Sequence, residues 1–446
     1  MSETVLHDRS DAAPSGVFVR LAIMMFLQFF VWGAWYVTTG NYMTAAGMTG
    51  DIQYLYMLAP IAAIISPFFL GMVADRFFAS ERVLAALHLL GGAAMLAVPW
   101  AASRGPGTFL TVVFVHTLCY MPTINLTNSI AFANLTDQEK QFPMIRVFGT
   151  LGWIAAGLLV SLMGVDNSAT QYTITGACAI VLAAFSLVLP HTPPPAKGKK
   201  ATVGEILGLD ALSLFKSRSF AVFAISSFLI CIPLAAYYSY AARMVGDVYA
   251  ARDAANLTPP VAATMSVGQG AEVVFMLVMP FFFKRLGVKW MLAVGMLAWV
   301  ARYALFAMGA PSQVLWMIIL GIALHGICYD FFFVTGFIYT DKRAPKAIRN
   351  QAQGLIVLLT YGLGLFVGAY VTGELFNRIV GTATGAAALP LYQKFWMYPA
   401  GFALVIFVIF TALFRDDTKD APAEPRGFDV KTAEADAATA QSAAPR

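Results

Sequence analysis

Two acidic residues interrupt otherwise apolar stretches of this chain. Glu272 lies near the centre of an apolar run that begins at about residue 261, and Gln269 precedes it by three positions. Residues at this spacing share one face of a helix. A carboxyl and an amide on one face can bind hydroxyl groups or the edge of a heterocyclic base, and the carboxyl can also carry a proton because burial disfavours its charged form. A hydrogen bond between helices, or an ion pair with Arg302, would explain the same residues structurally.

Asp330 is the second acidic residue of this kind, in the segment HGICYDFFF. Charges inside an apolar spanning segment are costly and usually face a cavity or a partner. Asp330 could carry a proton, or it could pair with Arg146 or Arg302. Arg302 itself has apolar neighbours, and we expect it to act as a structural counter-ion.

Other candidates combine a cation or a histidine with aromatic rings. Arg146, Thr150 and Trp153 share one helical face in FPMIRVFGTLGW and could line a cavity, with Trp153 as a stacking plane. Anchoring and membrane-facing packing would give the same pattern. His325 lies one turn before Tyr329 and could contact a substrate. A polar and aromatic series also runs through the first apolar stretch: Gln28, Trp32, Trp35, Thr39 and Tyr42.

The elements that carry these residues must be long and apolar. The chain has 446 residues, of which 59% are hydrophobic and 12% are charged, and its mean hydropathy is +0.70. Soluble domains carry about 25% charged residues, so this composition excludes a soluble protein. Apolar runs of about eighteen residues, long enough to cross the hydrocarbon core of a bilayer, recur along the chain.

We predict an all-α membrane protein with twelve transmembrane helices in two six-helix bundles. The helices are expected near residues 20–40, 54–74, 82–102, 108–132, 144–164, 170–190, 220–244, 261–283, 289–309, 314–340, 347–371 and 394–414. The domains are then a cytoplasmic N-terminal tail (1–19), an N-terminal bundle (20–190), a cytoplasmic linker (191–219), a C-terminal bundle (220–414) and a disordered cytoplasmic tail (415–446). A short interfacial helix is expected within the linker at 203–215.

Lys and Arg are distributed unevenly between the predicted loops, and this distribution sets the orientation. If the N terminus is cytoplasmic, fourteen of these residues fall in cytoplasmic loops and only four in the opposite loops. The four are Arg104, Arg252, Arg378 and Lys394. Both termini are therefore predicted to be cytoplasmic.

Several other functional classes find no support in the sequence. The four cysteines lie in apolar runs without CxxC spacing, so neither a metal site nor a disulfide is predicted. The chain shows no P-loop and no nucleophile motif, which disfavours ATP-driven transport and enzymatic catalysis. Its basic residues cluster in loops and do not indicate nucleic-acid binding. No cofactor is expected.

The two predicted halves share internal matches. Arg76 and Arg285 are 209 residues apart, and the same offset relates Cys119-Tyr120 to Cys328-Tyr329. Parallel repeats of this kind place a substrate site near the membrane midplane, between the halves. The loop GMVADR, with Asp75 and Arg76, resembles the signature between helices two and three of the major facilitator superfamily, where an acid and a base can form a conformational latch.

Segments in order along the chain resemble the nucleoside:proton symporter family of that superfamily. They are FLQFFVWGAWYVTTGNYM, GMVADRFFASERV, YMPTINLTNSI, FPMIRVFGTLGW, LPHTP, ILGLDALSLFK, SVGQGAEVVF, GICYDFFF and IRNQAQG. The resemblance runs from the first predicted helix to the eleventh and implies inward transport of a nucleoside together with a proton. It also implies a binding cavity at the matched positions Arg146, Thr150, Trp153, Gln269, Glu272, His325, Tyr329 and Asp330.

One stretch departs from the family pattern. Nucleoside permeases carry Gln and Asn contacts in the seventh helix, where this chain has Ala235 and Tyr238. The tenth helix has His325 and Tyr329 where Tyr and Phe are expected. Losing two amide contacts in a dry site weakens recognition, so substrate identity stays open. Tyr238 could still stack on a base or a sugar, or it could narrow the cavity toward another small polar solute.

These observations predict a proton-coupled secondary transporter of the bacterial inner membrane that works by alternating access. The leading substrate is a nucleoside, and the alternative is another sugar-like solute such as a glycoside or an amino sugar. Drug efflux fits less well, because the candidate residues are too polar for amphiphilic cations. A receptor is disfavoured because no signalling domain is attached. We expect a monomer surrounded by membrane lipid.

Overall fold

The computed structural model describes residues 15–69, 78–136, 138–194, 209–252, 260–345 and 348–418, and every regular element in these ranges is helical. The principal helices are α1 (Ser15–Gly33), α2 (Thr39–Ala45), α3 (Ile52–Phe69), α4 (Ser80–Ala102), α5 (Pro106–Asn134), α6 (Gln138–Leu162), α7 (Thr170–Ser186), α8 (Arg218–Ala251), α9 (Val261–Gly309), α10 (Leu315–Arg343), α11 (Arg349–Val357, Leu358–Gly364 and Leu365–Ile379) and α12 (Leu389–Leu413). Short 3-10 helices lie at Thr49–Asp51, Leu209–Lys216 and Gly385–Ala387.

Most of these helices have the length and composition of membrane spans. Within the described ranges, nine helices are long and apolar enough to cross a bilayer, and α7 is a shorter apolar helix. Exposed apolar side chains such as Leu277 and Leu162 cover their outer faces. This surface suits a lipid environment and not water.

Two predicted spans meet in α9. Gly287 lies within it at φ 64° and ψ −179°, which is not a helical conformation. The positive φ favours glycine because a Cβ would clash there. One helix therefore ends and the next begins at this residue, which lies between the spans predicted at 261–283 and 289–309.

The first predicted span, 20–40, is not one continuous helix. The α-helix ends at Gly33, residues 34–38 form turns, and α2 begins at Thr39. At the break the Tyr36 carbonyl accepts a hydrogen bond from the Tyr56 hydroxyl at 2.9 Å. The bulky residues of the segment AWYVT also lower helix propensity. An apolar run predicts burial in the membrane, but it does not reveal where the helix breaks.

Two of the later helices contain π-helical turns that the sequence did not predict. They lie at Tyr329–Val334 in α10 and at Leu358–Gly364 in α11. Such turns frequently occur at functional sites, and the first of them contains Asp330.

Glycines allow the close approach of α8 and α11. A Cβ added at Gly368 would lie 2.8 Å from the Cβ of Ala235, and one added at Gly364 would lie 2.8 Å from the Cβ of Cys231. The two glycines form a GxxxG pair, the small-residue spacing that brings membrane helices together. Ala235, where the resemblance noted above implies an amide, is therefore buried against α11.

Among the described residues, five hydrogen bonds join the N-terminal half (α1 to α7) to the C-terminal half (α8 to α12) at one end of the molecule. They run from Asn41 Nδ2 to Ala242 O (3.4 Å), from Gln53 Nε2 to Glu374 Oε1 (3.2 Å), from Asn377 Nδ2 to Gly50 O (3.2 Å), from Ala262 N to Asp166 Oδ1 (3.1 Å) and from Ala263 N to Ser161 Oγ (2.9 Å). We call this the bonded end. In this structure it is closed.

The predicted linker and latch are described only in part. Residues 203–208 lie outside the described ranges, and the rest of the predicted interfacial helix belongs to the 3-10 helix Leu209–Lys216. The proposed latch residues Asp75 and Arg76 also lie outside the described ranges.

The chain that follows α12 is held against the C-terminal half. Asp417 accepts hydrogen bonds from Tyr339 Oη at 2.8 Å, Arg343 Nε at 2.9 Å and Ser217 Oγ at 3.0 Å. The prediction of disorder from residue 415 onward is therefore wrong at Asp417, because the carboxylate of this residue has a cation and two hydroxyls as partners.

Candidate functional site

Tight packing of α6 on α1 positions the candidates of the N-terminal half. A Cβ added at Gly152 would collide with the backbone of Phe26, and one added at Gly33 would lie 2.9 Å from the Trp153 carbonyl oxygen. This packing fixes the helical face that carries Arg146, Thr150 and Trp153. Thr150 and Trp153 are partly exposed on this face.

Arg146 projects over an aromatic ring of α1. Its Cζ lies 4.0 Å from the centroid of Phe29, and the side chain is exposed. A guanidinium in this position gains a cation–π interaction, and its exposure leaves it accessible to a solute.

A similar close contact positions the candidates of the C-terminal half. A Cβ added at Gly326 would lie 2.6 Å from the carbonyl carbon of Ala271 and 2.8 Å from the backbone nitrogen of Glu272. One turn earlier in α9, a Cβ added at Gly268 would lie 3.2 Å from the Cβ of His325. The backbones of α9 and α10 therefore touch where the predicted glutamate and histidine lie.

The charged candidates come together between the halves. Glu272 is partly exposed and lies within electrostatic range of Arg146 on α6 and Asp330 on α10. Tyr329 also lies within electrostatic range of these three residues. Asp330 is fully buried, and neither of its carboxylate oxygens has a hydrogen-bond partner among the described residues. An unpaired buried carboxylate is costly, and strain of this kind is common at functional sites.

A line of aromatic rings connects the two halves beside these charges. Ring centroids lie 6.4 Å apart for Trp153 and Tyr36, 6.2 Å for Tyr36 and Tyr238, 6.3 Å for Tyr238 and His325, and 5.8 Å for His325 and Tyr329. Tyr36 belongs to the N-terminal half and Tyr238 to the C-terminal half, so this contact crosses between them. Flat rings at this spacing offer faces and edges to a planar ligand.

Two residues that sequence reasoning missed belong to this line. Tyr36 lies one helical turn after Trp32, and this spacing could have identified it. Tyr361 donates a hydrogen bond from its hydroxyl to the hydroxyl of Tyr329 at 3.0 Å. The surrounding segment LLTYGLG contains no charge or motif that would have marked Tyr361.

Most of the polar series in the first apolar stretch serves packing. Gln28 is buried and donates to Thr123 Oγ1 at 2.8 Å, while its Oε1 lies 2.8 Å from His88 Nε2. Trp35, Thr39 and Tyr42 are buried as well. From this series, Trp32 reaches the site, with its ring centroid 5.6 Å from that of Trp153.

Arg302 does not have the ionic partner that the sequence suggested. It is fully buried, and it forms no ion pair with Glu272 or Asp330 in the described part of the chain. Its Nε donates to the Gly321 carbonyl at 3.0 Å, and its Cζ lies 4.0 Å from the ring centroid of Tyr237. The Gly321 carbonyl and the face of the Tyr237 ring are therefore the partners of this cation, in place of the expected carboxylate. Gln269, on the same face as Glu272, is partly exposed.

Comparison with known proteins identifies the family. The family described as Nucleoside H+ symporter matches residues 16–419. Similar proteins of Escherichia coli (strain K12) are a putative nucleoside transporter YegT, 38% identical over 91% of this chain and 95% of that protein, and a xanthosine permease, 33% identical over 88% of this chain and 94% of that protein.

A solved structure confirms the fold. The crystal structure of the nucleoside transporter NupG matches with a TM-score of 0.78 and 32% identity, covering 90% of this chain and 99% of that one. The resemblance that the sequence motifs indicated is thereby confirmed. The chain belongs to the nucleoside H+ symporter family: it is a multi-pass transporter of the bacterial inner membrane with a major facilitator fold, and it is not an enzyme.

Proposed function

We propose that this transporter imports nucleosides together with protons by alternating access. The observation that carries the proposal is the convergence of Arg146, Glu272 and Asp330 from three helices between the two halves, in a chain of this family. Relatives named as a xanthosine permease and as nucleoside permeases support nucleosides as the cargo.

The aromatic residues hold the base or the sugar in this proposal. Trp153, Tyr238 and Tyr329 supply ring faces, and stacking of a base on an aromatic side chain contributes about 1–3 kcal/mol in nucleic-acid complexes. Arg146, Thr150, Gln269 and His325 offer hydrogen bonds around those rings. A protonated Glu272 donates to a sugar hydroxyl or a base acceptor, whereas an ionised Glu272 only accepts.

Glu272 and Asp330 form the proton-coupling pair. Two carboxyls within electrostatic range disfavour simultaneous ionisation, and Asp330 has no described hydrogen-bond donor to stabilise its charge. Proton uptake relieves that cost. We infer that the proton and the nucleoside bind together because only a protonated Glu272 can donate a hydrogen bond to the substrate.

The membrane arrangement is part of the same proposal. Twelve spans follow if α3, α7 and the division of α9 at Gly287 are added to the nine candidate spans. The positive-inside distribution of Lys and Arg then places both termini in the cytoplasm. The domain division at 1–19, 20–190, 191–219 and 220–414 belongs to this proposal, with the tail leaving the C-terminal bundle after the contacts of Asp417. So does the latch formed by Asp75 and Arg76. In this orientation the bonded end faces outward.

A second cargo class is favoured by one observation. Ala235 is only 3% exposed and offers no polar group, whereas the hydroxyls of Tyr238, Tyr329 and Tyr361 are present. Hydroxyl-rich aromatic walls also bind sugars, so the alternative cargo is a glycoside or an amino sugar. We expect a monomer in membrane lipid and no nucleic-acid partner.

Uptake by purified protein in proteoliposomes tests the proposal. An inward proton gradient should drive accumulation of labelled uridine, unlabelled nucleosides should compete, and a protonophore should abolish accumulation. Uptake that sugars block and nucleosides do not would show that the cargo is a sugar and not a nucleoside. Uptake that does not depend on pH would show facilitated diffusion and not symport.

The variant Glu272→Gln tests the coupling site. It cannot release a proton, so we expect gradient-driven accumulation to be lost while exchange of labelled for unlabelled uridine persists. Asp341→Asn is the control, because Asp341 lies on α10 but is half exposed and pairs with Arg349. Normal accumulation by Glu272→Gln would move the coupling role to Asp330.

A further inference from the structure

The orientation of His325 depends on ring contacts. The side chain is 4% exposed, and its Nδ1 is buried without a hydrogen-bond partner among the described residues. Its ring lies 5.3 Å from that of Tyr237 at an interplanar angle of 24°, a stacked arrangement. The contacts with Tyr238 and Tyr329 are at steeper angles of 80° and 43°. Stacking on Tyr237 therefore does most to set the plane of the imidazole.

Tyr237 in turn depends on apolar and cationic neighbours. It is 2% exposed, and its hydroxyl has no described hydrogen-bond partner. The ring stacks on Phe306 at 6.3 Å and 7°, and the guanidinium of Arg302 lies 4.0 Å from its centroid. A cation–π contact that is shielded from water is stronger than one at an exposed site.

Arg302 also holds the turn of α10 that precedes the histidine. Its Nε donates to the carbonyl of Gly321, four residues before His325. One buried guanidinium thus fixes both the ring behind His325 and the helical turn below it. A fully buried cation is costly unless its surroundings compensate it, and the contacts that compensate it here are with the Gly321 carbonyl and the Tyr237 ring.

We propose that Arg302 and Tyr237 are positioning residues for His325 and so determine how the site recognises its cargo. The inference rests on the proposed function, in which His325 contacts the bound nucleoside. Arg302 touches no substrate itself. It acts through the Tyr237 ring and the Gly321 carbonyl, and its role is therefore not that of a counter-ion for Glu272 or Asp330.

A double-mutant cycle tests the positioning role. Dissociation constants for uridine and adenosine are measured by calorimetry on purified wild type, Arg302→Lys, His325→Ala and the double variant. Arg302→Lys keeps the charge but loses the flat contact and the directed Nε–H bond, so we expect binding about tenfold weaker. In the His325→Ala background the same change should have no further effect, because the residue that it positions is gone.

Equal losses in both backgrounds would overturn the proposal, since a general packing defect is additive with the loss of His325. If Arg302→Lys does not fold, Tyr237→Leu replaces it in the cycle. Tyr398→Leu is the control: this tyrosine is exposed on α12, away from the site, and the variant should bind nucleosides like wild type.

A measurement without substrate tests the positioning of His325 independently of whether the cargo is a nucleoside. Modification of His325 by diethyl pyrocarbonate, followed by mass spectrometry on ligand-free protein, should be several-fold faster in Tyr237→Leu than in Tyr398→Leu. An unchanged rate contradicts positioning even if nucleosides bind. A faster rate in a protein that binds neither nucleoside would retain positioning and reject the proposed cargo.

Discussion

At the scale of single residues, Glu272 lies within electrostatic range of both Arg146 and Asp330. All three residues were predictable from the sequence, because a charge in an apolar helix is conspicuous. Tyr361 was not, since a lone tyrosine in an apolar helix is usually packing. Arg302 was identified, but the ion pair expected between it and a carboxylate was wrong, because spacing along a chain does not reveal which helix faces which.

Removing the ring of Tyr238 tests recognition at this scale. Tyr238 occupies a position where the sequence resemblance implies an amide, and its ring contacts those of Tyr36 and His325. If it stacks on a nucleoside, Tyr238→Ala should weaken binding about ten- to hundredfold, because stacking contributes roughly 1–3 kcal/mol. Calorimetric titration with uridine measures the effect.

Tyr398→Ala is the control for this variant, because Tyr398 is 52% exposed on α12. Equal affinities in the two variants would show that the ring of Tyr238 takes no part in recognition.

At the scale of elements, the helices were predictable and their irregularities were not. Apolar runs indicated all the long helices, since burial in lipid requires them. The break at residues 34–38 and the π turn Tyr329–Val334 depend on contacts with other helices, and hydropathy carries no such information. The same limit applies to Gly326, whose importance becomes visible only when α9 is placed beside α10.

Gly326→Ala tests the close contact of these two helices. The added methyl would lie 2.6 Å from the backbone of Ala271, so the helices must separate. Overpacking of this kind costs about 1–3 kcal/mol, and we expect a lower melting temperature together with weaker uridine binding. Thermal unfolding in detergent and calorimetry measure the two effects.

Gly354→Ala is the matched control, because a Cβ at Gly354 meets no atom within 4 Å. A melting temperature and an affinity as high in Gly326→Ala as in Gly354→Ala would show that α9 and α10 can move apart without consequence.

At the scale of the whole molecule, the bonded end contains a carboxylate that responds to pH. Asp166 lies between α6 and α7, and burial raises the pKa of its carboxyl above the ordinary value, although the N–H of Ala262 partly offsets this effect. No charged partner faces it among the described residues. When this end opens, water restores the ordinary pKa. The closed state therefore binds the proton more tightly.

This linkage predicts the sign of a pH effect. Lowering the pH from the raised pKa toward the ordinary one should favour closure of the bonded end, and raising the pH through that window should favour opening. Hydrogen–deuterium exchange at the amides of Ala262 and Ala263 reports the opening directly. Comparison with Asp166→Asn at each pH cancels the chemical dependence of exchange, and the variant should lack the additional slope. Parallel profiles for the two proteins would exclude Asp166 as the titrating group.

The five hydrogen bonds of the bonded end also set a resting population. If each contributes a net 0.5–1.5 kcal/mol, together they favour the closed arrangement by roughly 2.5–7.5 kcal/mol. A solute arriving from that side binds only the fraction of molecules that are open, and its apparent dissociation constant rises by the inverse of that fraction. Affinity measured from the two sides of the membrane should then differ even though the binding residues are the same. Opening requires either a compensating set of contacts at the opposite end or the binding free energy of the proton and the solute. In the second case the uptake of one depends on the other.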